Sequence, residues 1–69
     1  MNEAPNYYRT AQERYRAAAP EIRKASREHW TRTHAANIKS GREDLIMFSA
    51  QILAAYDVAD AEREEERSA

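Results

Sequence analysis

Apolar residues recur along this chain at helical spacing, never with the alternation of a half-buried strand, and their density changes partway along. From Glu43 to Ala61 the segment EDLIMFSAQILAAYDVADA is apolar on nearly every side. Leu45, Phe48, Ile52, Ala55 and Ala59 form one stripe at three- and four-residue intervals. Ile46, Ala50, Leu53 and Tyr56 form a second, and Met47, Ala54, Val58 and Ala61 a third. Ser49, Gln51, Asp57 and Asp60 are the few polar interruptions. A helix that is apolar almost all round is a buried helix. One small hairpin can cover one face of it, so a second copy of the chain is expected to cover another. Leu45, Phe48, Ser49, Ile52, Ala55 and Tyr56 are the expected dimer interface. The expected architecture is all-α: a helical hairpin with an N-terminal helical arm, dimerising into a four-helix-type assembly.

The first half of the chain is patterned more sparsely. Tyr8, Ala11, Tyr15, Ala18, Ile22, Ala25 and His29 keep alternating three- and four-residue spacing straight across Pro20. This register predicts a bend at the proline with little change in facing direction, although proline at a first helical position could equally open a separate helix. A second line follows through Ile22, Ser26, Trp30, Thr33 and Asn37, leaving a broad charged back.

Punctuation sets the boundaries. Gly41 is the only glycine, and it follows Ser40 in KSGRED, a turn signal. Ser40 and Glu43 have the S-x-x-E spacing of a capping box ahead of the apolar run. Glu43 and Asp44 put negative charge where the helix dipole favours it. The expected organisation is a single domain over 1–69. It divides into an arm at about 5–19, a helix at about 20–39, a turn at about 39–42 and a helix at about 42–65.

Size strengthens the case for assembly. A chain of 69 residues with no cysteine has no disulfide or thiolate metal site to support a small core. Charge divides along the chain: nine Lys/Arg face three Glu from Arg9 to Arg42, and eight Asp/Glu face two Arg from Glu43 onward. Antiparallel packing of the halves would let them neutralise each other. Apolar runs such as Leu45 to Phe48 are far too short to span a bilayer, and MNEAPNYYRTAQ lacks the regions of a secretory signal. A cytoplasmic protein without membrane contact is expected.

Little in the chain suggests catalysis. His29 and His34 lie roughly 140° apart on a helix, poorly placed to chelate one metal. No serine–histidine–acid combination has motif support, and no glycine-rich phosphate loop occurs. Neither enzyme activity nor a cofactor is expected. REHWTRTH, from Arg27 to His34, is the most interaction-like stretch, because Trp and Arg dominate binding hot spots. Arg23, Arg27, Trp30, Arg32 and His34 are the expected partner-binding face, unless Trp30 plugs the hairpin core. The basic residues of the first helix could instead track phosphates. However, the helix after the turn opens with two acids, unlike a recognition helix. A small DNA-binding repressor is therefore the alternative reading.

In length, composition and helix layout the chain resembles the phage quorum-sensing anti-activator family. These small helical proteins bind a LuxR-type transcription regulator and a type IV pilus assembly ATPase. The resemblance implies a non-catalytic inhibitor that acts by protein–protein contact in the host cytoplasm and keeps a transcription activator off DNA. It assigns no individual residue.

Overall fold

The computed structural model describes residues 7–68, with side chains through Arg67. The start of the expected arm, before Tyr7, lies outside the described residues. Three helices follow in order: α1, Tyr7–Ala17; α2, Pro20–Ser40; and α3, Glu43–Ser68. Among the described residues only Ala18, Ala19, Gly41 and Arg42 are not helical, and there is no strand.

The two breaks have local causes. Ala19 is extended, with ψ 155°, the conformation that a following proline imposes. Pro20 then occupies the start of α2, where its missing N–H costs no helical hydrogen bond. At the other end Gly41 takes φ 75°, and its N–H donates to the carbonyls of Asn37 and Ile38 at 3.1 Å. A left-handed residue at this position is the usual helix stop, and glycine adopts it without strain. The capping box does not form. Ile46 N–H donates to the Arg42 carbonyl, which makes Arg42 the cap and puts Ser40 two residues too early. The Ser40 hydroxyl instead donates to the Asn37 carbonyl at 2.7 Å.

Contacts along the helices give the topology. Asn37 meets Leu45, His34 meets Ser49 and Arg27 meets Asp57, so α2 runs antiparallel to α3. Tyr7 meets Phe48, Tyr15 meets Tyr56 and Arg16 meets Glu62, so α1 runs in the same direction as α3. The chain thus reverses at Ala18–Ala19, where the spacing predicts only a bend. Beyond this reversal the seam through Ile22, Ala25 and His29 no longer points at the core, and all three are exposed. Ser26, Trp30, Thr33 and Asn37 take their place as the half-buried side of α2.

Both α1 and α2 pack on α3 and barely on each other. The resulting molecule is flat, 41 × 35 × 17 Å. Its core is small: Tyr15, Ile52, Tyr56 and Ala59 are buried, with Ala11, Trp30, Phe48 and Leu53 packed against them. Tyr15 and Tyr56 stack with ring centroids 4.2 Å apart. The basic and acidic halves do meet. Arg16 pairs with Glu62, and the Arg27 guanidinium donates to Asp57 at 2.9 Å and Asp60 at 2.8 Å.

Candidate protein-interaction surfaces

The five residues expected to face a partner do not share one surface. Arg23 donates to the Ala18 carbonyl and so ties the first turn of α2 to the end of α1. Arg27 is turned onto α3, where Asp60 also accepts a hydrogen bond from the Tyr15 hydroxyl at 3.1 Å. Burial disfavours the Arg27 charge, but its hydrogen bonds with Tyr15, Asp57 and Asp60 outweigh that and hold the guanidinium protonated more firmly than usual. Trp30 lies edge-on to Phe48 at 5.6 Å. His34 contacts Ser49. Arg32 alone stands on the exposed back of α2, with no hydrogen bond or ion pair to the described residues. The sequence spacing puts all five on one helix, but the antiparallel packing of α2 turns four of them inward.

His34, Ser49 and Asn37 form a polar cluster that the sequence pattern does not reveal. Ser49 has no exposed surface. Its hydroxyl donates to the Leu45 carbonyl at 3.0 Å and accepts from Asn37 Nδ2 at 3.1 Å. Ser49 Oγ is also hydrogen-bonded with His34 Nδ1 at 2.6 Å. The cluster fixes the register of α2 on α3.

The expected dimer residues also have partners within their own chain. Ser49, Ile52, Ala55 and Tyr56 are at most 6% exposed, while Leu45 and Phe48 are half-buried. Burial pushes the Tyr56 phenol up, with the neighbouring Tyr15 acting in the same direction, while Arg27 and a hydrogen bond with Ser26 pull it down. The stripe left uncovered is the third one. Met47 is 62% exposed and Val58 38%, and Ala50, Ala54 and Ala61 are exposed beside them. The first stripe and most of the second are used inside the chain, while the third, with Ala50 beside it, faces outward.

A second open surface lies between α1 and α2. Tyr7, Thr10, Ala11 and Arg14 form one wall, Ile22, Ser26 and Trp30 the other, and Phe48, Ile52 and Tyr56 the floor. This cleft has a volume of about 330 Å³. Sequence spacing could not show it, because it arises from the reversal at Ala18–Ala19. Among the described residues no cluster of histidine and carboxylate side chains could hold a metal ion. No described helix is long and apolar enough to cross a membrane. Compared with known proteins, the chain matches no protein-family model, no curated protein and no solved structure.

Proposed function

We propose that this is a non-catalytic interaction protein that works as a homodimer and inhibits another protein by binding it. The outward stripe of α3 is the observation that carries this reading. Met47, Ala50, Ala54, Val58 and Ala61 are exposed, and their spacing is symmetric about Ala54. In an antiparallel α3 pair crossing at Ala54, Met47 of one copy meets Ala61 of the other, and Val58 meets Ala50. Large side chains then face small ones, the complementarity an isologous two-fold interface needs. Ile38, 55% exposed, lies on the same edge of α2 as Arg27 and His34 and would extend this surface. Two α2 and two α3 helices would make the four-helix-type assembly.

Met47→Glu and Val58→Glu test the dimer without touching the core. Each variant should sediment as a monomer while keeping its circular dichroism spectrum. A folded monomer for the unmodified chain would end the proposal.

In its most specific form the inhibited protein is a LuxR-type regulator, bound in the host cytoplasm and kept from its operator. Adding the protein to such a regulator in a gel-shift assay should release the operator DNA. An unchanged shift would remove this version and leave the dimer. The DNA-binding alternative has less to draw on, because Arg23 and Arg27 are engaged within the chain. Lys24, Arg32 and Lys39 remain exposed on α2, interspersed with exposed Glu21 and Glu28. Salt-dependent retention on DNA would support that alternative.

A further inference from the structure

We propose that the cleft between α1 and α2 takes an amphipathic helix of another protein, with bulky apolar side chains along one face and carboxylates beside them. This deepens the protein-binding reading by naming the chemistry of the partner.

Shape comes first. Because α1 and α2 both lean on α3 and barely touch each other, they occupy three corners of a helical bundle whose fourth corner is open. The cleft there, about 330 Å³, lies at the lower end of the range of about 300–1,000 Å³ typical of ligand sites. Its shorter wall, α1, has 11 residues, which corresponds to roughly 16 Å, or three turns of a docked helix. Anchors at i, i+4 and i+7 span such a length.

The walls are also unfinished. Tyr7 is 51% exposed and Ile22 54%, and both line the cleft. The whole of α2, 21 residues, has no buried side chain. A helix suits this gap better than an extended segment. It satisfies its own backbone hydrogen bonds, whereas an extended chain would need a strand edge, and the described residues offer none.

Charge selects among helices. Arg14 lines the cleft, no carboxylate does, and Arg14 makes no hydrogen bond or ion pair with the described residues. An arginine beside apolar walls recognises a carboxylate that flanks an apolar anchor.

Two synthetic helical peptides test this. They share a leucine stripe at i, i+4 and i+7, and one carries Glu beside the stripe where the other carries Lys. Binding to the full chain is read by fluorescence anisotropy. The Glu peptide should bind about tenfold tighter than the Lys peptide, the scale of one good charge-assisted contact. Arg14→Glu should reverse that order, and Ile22→Glu should weaken the Glu peptide by a similar factor. Both positions are exposed, so both variants should keep the parent's circular dichroism and sedimentation. Equal binding of the two peptides, binding by neither, or indifference to both substitutions would overturn the proposal. Sedimentation in parallel separates the cleft from the dimer, since a dimer that binds no peptide loses only the cleft assignment. Growth beyond a dimer that Ile22→Glu abolishes would assign the cleft to a second copy, and that too would overturn it.

Discussion

Ser49 is a polar residue on the buried side of the most apolar helix, and its hydroxyl is fully used. Removing it would leave His34 Nδ1 and one Asn37 hydrogen without their partner in a half-buried site. Ser49→Ala should therefore destabilise the fold by about 1–3 kcal/mol, measured by urea unfolding, the range for stranding buried polar groups. Tyr56 makes a different prediction. Its phenol is raised chiefly by burial, so the folded chain holds that proton more tightly than the unfolded chain. This stabilisation is complete below pH about 10, the ordinary tyrosine value, and is lost as pH rises through the higher folded value. In alkaline titrations the unfolding midpoint of the parent should fall more steeply above that pH than the midpoint of Tyr56→Phe. Neither role is legible from spacing. Ser49 reads as a polar break in a stripe, and His34 and Asn37 as members of a charged face, until antiparallel packing brings them together.

The helices themselves were far more legible than the faces they bury. Gly41 and Pro20 mark their ends because each does something other residues do badly: one adopts a left-handed backbone, the other forces its predecessor to extend. Gly41→Ala has free space around the new Cβ, so its cost, roughly 1–2 kcal/mol, should come wholly from backbone strain. Pro20 has a larger consequence for topology. Ala17, Ala18 and Ala19 are strong helix formers, and the apolar spacing continues across them, so local preference favours one long helix. Proline opposes it, and the stacking of Tyr15 on Tyr56 rewards the reversal. Pro20→Ala should raise helicity at 222 nm and reduce the near-ultraviolet signal of the tyrosine pair, as α1 leaves α3 to extend α2. A three-versus-four pattern read along one helix cannot see that competition, so it places Ile22, Ala25 and His29 in a seam that turns away from the core beyond the reversal.

At the level of the whole molecule, the density of apolar residues in α3 correctly signals more surface than one partner helix can cover. It does not say which stripe stays outside. The reversal supplies α1 as a second internal partner, which covers Tyr56 and Ala59 and leaves Met47, Ala54 and Val58 outward. A dimer built on that stripe should dissociate on dilution, and its unfolding midpoint should rise with protein concentration, which calorimetry at two concentrations can measure. Uneven anchoring has a further result. Tyr15 is the one buried residue of α1, whereas Ser49, Ile52, Ala55, Tyr56 and Ala59 are buried along α3. In deuterated buffer the amides of α1 should exchange as a group well before those at 52–59. The smallest helix would then act as a hinged wall: each time it lifts, the cleft that it bounds with α2 is lost, so a helix seated there should slow that exchange.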